Sequence, residues 1–317
     1  MSETDVDLEA RLAEQDAFEP PESFIEQANV TDPGIYRQFE DNWPECFERA
    51  ADLLSWSSDY EEVLDDSNPP FYQWFVDGEL NASVNCLDRH LDERGDEAAI
   101  EWVGEPVDEA NRTYSYSDLH REVNEFAAGL RALGVDEDDV VTLYMPMIPE
   151  LPIAMLACAR IGAPHSVVFA GFSADALGTR MNAADSEYLV TCDGYYRRGD
   201  PLDHFSKASD GLDTVDHTVD TVIVERLPKK DEIPHNWTEH THSYSKLIEN
   251  HAGETVDPVD RDSEDMLFLM YTSGTTGQPK GVKHTTGGYL SWAAWTSHAA
   301  LDIKPADTYF CAADIGW

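Results

Sequence analysis

From residue 113 onward, apolar runs of strand length alternate with segments of helix length, and this alternation limits the chain to a parallel sheet covered on both faces. Ser115 and Asp118 stand at capping-box spacing, and Leu119, Val123, Phe126, Ala127, Leu130 and Leu133 then line one face of a helix that Gly134 ends. "DVVTLYM" (139–145) predicts a buried strand, "ELPIAMLACARIG" a largely apolar helix and "HSVVF" a strand. "SADALGTRMNAA" predicts a helix, and "EYLVTC", "VDTVIV" (219–224) and "MLFLMYT" predict strands. The expected fold class is α/β, with a doubly wound, mostly parallel sheet. Ligands of such sheets gather beyond the carboxyl ends of the strands. "VVFAGFS", "VTCDGYYRRG" and the glycine-rich run after "MLFLMYT" all sit at such ends.

Ahead of this pattern the sequence is less regular. Residues 1–30 read as a polar, acidic arm, and 31–92 as an aromatic-rich segment of helices followed by an irregular stretch. Pro69-Pro70 and Asp77-Gly78 punctuate it, a helix is predicted from near Asn85, and Trp56, Trp74 and Phe75 read as core anchors. Residues 93–317 form the α/β part, within which 200–220 look like a surface excursion.

Charge narrows the function classes. There are 63 acidic residues against 21 basic ones, a formal net charge of −42, spread along the chain and interleaved with core-forming residues. That balance excludes nucleic acid and anionic membrane as partners. At about 1 M salt the screening length falls to roughly 3 Å, which quenches such self-repulsion. The expectation is a protein of a salt-accumulating halophile that loses structure in dilute buffer; an unchanged circular-dichroism spectrum after dialysis out of multimolar KCl would refute it. The five cysteines are odd in number and scattered, with no zinc-ligand spacing, so they read as buried thiols of a reducing cytosol. No apolar run reaches membrane-spanning length and the N-terminus lacks a signal-peptide pattern, which makes a soluble cytoplasmic protein the expectation.

In so acidic a chain, cations gathered in loops are informative. "YYRRG" (195–199) and "PKGVK" (279–283) are two such clusters, whereas "LPKKDEIP" (227–234) reads as a solvated loop. The second cluster closes "YTSGTTGQPKG", where Gly274, Gly277 and Gly281 can supply positive φ and close backbone approach. Ser273, Thr275 and Thr276 add hydroxyls and Lys280 a mobile charge, the ingredients of an anion-binding concavity. Lys283 is the weaker candidate. Pro279 before Lys280 breaks the Walker A pattern, and neither a dinucleotide fingerprint nor a nucleophile elbow is present. Physics alone leaves phosphate binding and an ordinary surface connection both open.

"YTSGTTGQPKGV" resembles the phosphate-binding signature of the adenylate-forming superfamily of acyl-CoA synthetases, luciferases and peptide-synthetase adenylation domains. "NPPFYQWFVDGELNASVNCLDRHL", "MPMIPELPIAMLACARIGAPHSVVFAGFSADAL", "DGYYRRG" and "KHTTGGYL" are similar to the acetyl-CoA synthetase subfamily, and the resemblance covers roughly 20–317. It implies activation of a carboxylate by ATP to an acyl-adenylate with release of pyrophosphate. Attack by coenzyme A then expels AMP. Thr272, Ser273, Gly274, Thr275, Thr276, Gly277 and Lys280 would hold the β- and γ-phosphates, Lys280 acting on the departing pyrophosphate, with Mg2+ on the triphosphate and no protein ligand for it assigned. Arg197, Arg198 and Gly199 would meet the phosphorylated nucleotide of coenzyme A, with Phe169, Ala170 and Gly171 beside them. Asp200 departs from the basic residue common there. Residues 314–317 would approach the acyl group, with Trp317 a pocket wall.

Family members continue for several hundred residues, through the remaining acyl pocket and adenine motifs to a mobile C-terminal domain. The expectation is therefore a truncated adenylation domain, inactive alone and completed by the missing half. Three readings stay open: acetate activation, activation of propionate or another short acyl group, and a non-catalytic nucleotide-binding remnant.

Overall fold

The computed structural model describes residues 20–228, 237–272 and 279–316. Lys229 and Lys230 of the solvated-loop reading lie outside them.

Seven strands form the main sheet: β1 (Val141–Tyr144), β2 (His165–Val167), β3 (Tyr188–Cys192), β4 (Asp220–Val224), β5 (Thr241–Ser243), β6 (Met266–Thr272) and β7 (Lys280–Thr285). Their order is β5-β4-β3-β1-β2-β6-β7, and every pairing is parallel except β6 with β7. The chain winds outward from β1 in both directions, as the alternation predicts.

Side chains on successive strand residues serve opposite layers. Leu143, Val190, Cys192, Val222 and Val224 face one layer, in which α1 (Tyr116–Leu133), α2 (Glu150–Arg160) and α5 (Tyr244–Asn250) pack. Tyr144, Leu189 and Ile223 face the other, against Leu177 and Met181 of α3 (Ala174–Ala184) and Phe205 and Ala208 of α4 (Phe205–Leu212). The sequence reading of α1 holds in detail. Ser115 and Asp118 form the reciprocal capping box, Leu119 to Leu130 carry the buried face, Leu133 is half-buried, and Gly134 closes the helix at φ 100°.

Four expectations need correction. The stretch read as irregular is an antiparallel hairpin, Glu62–Asn68 with Phe71–Val76, turning at Pro69-Pro70. Aromatic contacts from distant segments hold it: Trp74 lies 5.5 Å from Trp43 and 5.2 Å from Phe47, edge to face. Phe75 is fully buried, and Trp56 and Trp74 pack against it as anchors. The following helix runs Ala82–Cys86, starting earlier than Asn85, because the Asn81 side chain accepts from the N–H groups of Ser83 and Val84 at 2.8 and 3.2 Å. Residues 200–220 are no mere excursion: α4 buries Phe205 and Ala208 in the second layer. Cys86 and Cys311 are exposed, unlike the other three thiols.

Polar side chains fasten the N-terminal segment to the sheet domain. Asn81 Nδ2 donates to the carbonyls of Ala159 and Val259, both at 2.8 Å. Arg160, almost completely buried at the end of α2, grips both carboxylate oxygens of Asp88 at 2.9 and 3.0 Å and the Val256 carbonyl at 2.6 Å. Burial pushes the Asp88 carboxyl up, but hydrogen bonds from His120 and Arg160 outweigh it and hold the group well below the usual carboxylate range.

Candidate active site

The carboxyl ends of four strands border one cleft of about 570 Å³. Met147 and Ile148 follow β1, Phe169, Ala170 and Gly171 follow β2, Tyr195, Tyr196 and Arg197 follow β3, and Arg226 follows β4. Trp102 and Glu105 form the outer wall, and Asp314 enters from the end of the chain. This is the crevice where a doubly wound sheet reverses its strand order.

Each wall has a local cause. The turn after β2 closes through Phe172 N–H to the Phe169 carbonyl at 2.9 Å. From below, the Lys207 ammonium donates to the Ala170 carbonyl at 2.7 Å, and the Tyr144 hydroxyl donates to the Phe172 carbonyl at 2.7 Å. Burial lowers the Lys207 pKa. After β3, Gly194–Arg197 and Asp200–Asp203 pair as a hairpin, so "YYRRG" is strand and turn rather than open loop. Arg198 and Gly199 make its two-residue turn at φ 55° and 88°, the conformation such hairpins require. Asp200 faces Arg197 across the ladder. The Asp193 carboxylate accepts from the N–H groups of Gly194 (2.6 Å), Arg226 (2.9 Å) and Leu227 (3.2 Å), tying the ends of β3 and β4 together.

Phe169, Ala170, Gly171 and Arg197 therefore converge on one cleft. Arg198 and Gly199 sit at the turn tip, where the Glu105 carboxylate accepts from both their N–H groups. Gly199 lines a neighbouring pocket of about 600 Å³ with Tyr196 and Arg226. Burial raises the pKa of Asp314 and of Tyr195 at the cleft floor. Sequence reasoning missed Trp102, Glu105 and Arg226. The Arg226 guanidinium lies between the Trp102 ring at 5.1 Å and the Tyr196 ring at 5.8 Å and pairs with Glu109 at 2.6 Å. Its position just beyond the predicted strand 219–224 was a usable signal.

The glycine-rich edge lies elsewhere on the sheet. Thr272 ends β6 and pairs with Lys280, which begins β7, so Lys280 is a strand residue and not a loop residue. Both are exposed, and Lys283 lies on the same strand. Gly281 is not at positive φ; it serves close approach, because a Cβ there would stand 3.0 Å from Leu269 Cδ1 and 3.3 Å from Tyr271 Cε1. Ser273, Gly274, Thr275, Thr276 and Gly277 lie outside the described residues, as does Trp317. Among the described residues no cluster of three His, Cys, Asp or Glu side chains could hold a metal ion, and no helix is long and apolar enough to cross a membrane.

Known proteins resemble this chain in sequence and fold. The family model described as AMP-binding enzyme matches residues 87–317, and that described as acetyl-coenzyme A synthetase N-terminus matches 34–86. An acetyl-coenzyme A synthetase of Rubrobacter xylanophilus is 44% identical over 301 residues, covering 95% of this chain and 46% of its own length. One from Streptomyces avermitilis is 44% identical over 308 residues, covering 96% and 46%. The solved acetoacetyl-CoA synthetase from Streptomyces lividans superposes with a TM-score of 0.83 at 25% identity, over 94% of this chain and 48% of that one. The chain thus spans about half the length of the curated relatives it matches. With strand-end cleft, glycine-rich edge and a family match over most of its residues, the chain belongs to the AMP-binding enzymes.

Proposed function

We propose that these residues are the ATP- and coenzyme-facing portion of an AMP-forming acetate–CoA ligase, organised as an acidic arm (1–30), an N-terminal segment (31–92) and an adenylation domain (93–317). An acetate oxygen attacks the α-phosphorus of ATP while the bond to the bridging oxygen breaks and pyrophosphate leaves. The coenzyme A thiol, giving up its proton, then attacks the acyl carbon and AMP departs. The observation that carries this reading is the convergence of Phe169, Ala170, Gly171 and Arg197, from two separate strand ends, on one cleft. The two acetyl-coenzyme A synthetases at 44% identity support it.

In this assignment Thr272, Ser273, Gly274, Thr275, Thr276, Gly277 and Lys280 hold the β- and γ-phosphates. Arg197, Arg198 and Gly199 meet the coenzyme's phosphorylated end, Phe169, Ala170 and Gly171 line its path, and Trp317 walls the acyl pocket. Mg2+ would arrive on the triphosphate, where it would supply charge neutralisation for the leaving group. Cytoplasmic placement, adaptation to high salt and a complementing C-terminal half belong to the same proposal.

Acetate-dependent exchange of labelled pyrophosphate into ATP tests it, with the chain reconstituted with the C-terminal half of the Rubrobacter xylanophilus relative. Exchange is expected, and Lys280→Ala should lower it about 100-fold, the scale of losing one donor to a developing anion. The melting temperature should not move, because Lys280 is exposed. No exchange, or release of ADP in its place, would refute the ligase assignment; preference for propionate would redirect it to a longer acyl group.

A further inference from the structure

The turn 169–172 is held from beneath by two side chains that do not themselves line the cleft. Tyr144, ending β1, donates its hydroxyl to the Phe172 carbonyl, and Lys207 of α4 donates its ammonium to the Ala170 carbonyl, each at 2.7 Å. With the Phe172 N–H on the Phe169 carbonyl at 2.9 Å, the carbonyls of Phe169, Ala170 and Phe172 are all engaged. Above them the Phe169 ring folds against Gly171, where a Cβ would collide with it, and meets Phe172 edge to face at 5.5 Å. The wall that the turn offers to the cleft is therefore set by what lies under it.

Lys207 performs this task against the charge balance of the chain. Acids outnumber bases 63 to 21, yet among the described residues no carboxylate pairs with its ammonium. Asp203 stands four residues earlier, but its carboxylate accepts from the N–H and the hydroxyl of Ser206. The ammonium lies 5.5 Å from the Tyr144 ring centre, with the buried Cys192 thiol and His204 ring as its titratable neighbours. Half-burial there disfavours a charge, and the carbonyl and the ring answer only part of that cost. What the arrangement gains is a bond from a charged donor, stronger than a neutral one, that fixes the direction of one carbonyl.

We propose that Lys207 is a positioning residue for coenzyme A: its bond to the Ala170 carbonyl holds the turn against which the coenzyme lies, and it touches no ligand itself. This rests on the coenzyme role proposed for the cleft. It adds a residue from a helix that neither the strand-end pattern nor the cleft lining includes. The role has a chemical signature. A cation that meets the coenzyme's 3′-phosphate matters only when that phosphate is present, whereas one that holds the turn matters for any ligand lying on it.

Titration calorimetry of the 317-residue chain with coenzyme A and with 3′-dephospho-coenzyme A, at constant KCl, tests it. Lys207→Met keeps an apolar stem and removes the donor. It should weaken both ligands about 10-fold, the scale of a lost hydrogen bond from a charged group, and Lys207→Arg should restore both to within a few-fold. A loss confined to coenzyme A would make Lys207 a direct phosphate ligand and overturn the inference. Unchanged affinities with a lowered melting temperature, the mark of a packing role, would overturn it too. Both results leave the coenzyme reading of the cleft intact. If Lys207→Met does not fold, Lys207→Ala, which favours the helix, must show the same loss for both ligands, and unchanged affinities in it overturn the inference equally. If the unaltered chain binds neither ligand, the coenzyme reading of the cleft falls, and this inference with it.

Discussion

Lowering the pH from 7 to 4 should destabilise the fold by several kcal/mol through two buried histidines, beyond what its carboxylates contribute. His165, at the start of β2, is 4% exposed and stacks on Phe268 with ring centres 5.7 Å apart. His204, just before α4, is 1% exposed and lies over the Tyr144 ring at 4.3 Å, with Nε2 3.0 Å from the Tyr144 carbonyl. Neither Nδ1 has a partner among the described residues. Burial pushes both rings down to about 4, aided at His204 by the nearby Lys207 charge. Unfolded, each would titrate near 6.5. Between those values the unfolded chain binds more protons than the folded one, so stability rises with pH across the window. The contribution is complete above about 6.5 and is lost as pH falls through about 4, on the order of 3 kcal/mol per ring. Urea midpoints at fixed KCl should fall through this range, and a His165→Leu/His204→Gln double variant should show a flatter curve. An equal slope in the variant would refute the assignment.

Arg160→Met should cost about 3–5 kcal/mol, the range for breaking a buried ion pair from one side. The change strands the half-buried Asp88 carboxylate, whose remaining side-chain partner is His120 at 3.3 Å, and leaves the Val256 carbonyl without its guanidinium donor. Because Asp88 titrates below its unfolded value, the pair stabilises above about pH 3.9 and the gain fades as pH drops towards the folded value. Adding Asp88→Asn to Arg160→Met should recover part of the loss by removing the unpaired charge. A loss under about 1 kcal/mol for the single variant would mean that solvent already screens this pair.

Local signals made α1 legible: a capping box, a 3.6-residue apolar period and a terminal glycine all lie within twenty residues. The buried strands were legible because their apolar runs are short and bounded. The aromatic hairpin was not. Trp74 and Phe47 hold it by contact with Trp43 and Trp292, the last more than two hundred residues away in sequence. The cleft was half legible. Strand ends and clustered arginines pointed to Phe169 and Arg197, whereas Trp102 and Arg226 stack across a distance no spacing rule encodes.

The antiparallel pairing of β6 with β7 has a consequence for how the glycine-rich edge can change. In nucleotide sites where a helix follows the loop, aligned peptide dipoles contribute about half a positive charge that no substitution removes. Here, among the described residues, strand β7 and not a helix begins at Lys280. If that edge holds an anion as proposed, the charge of Lys280 at the start of β7 is the part of its positive field that a single substitution can remove.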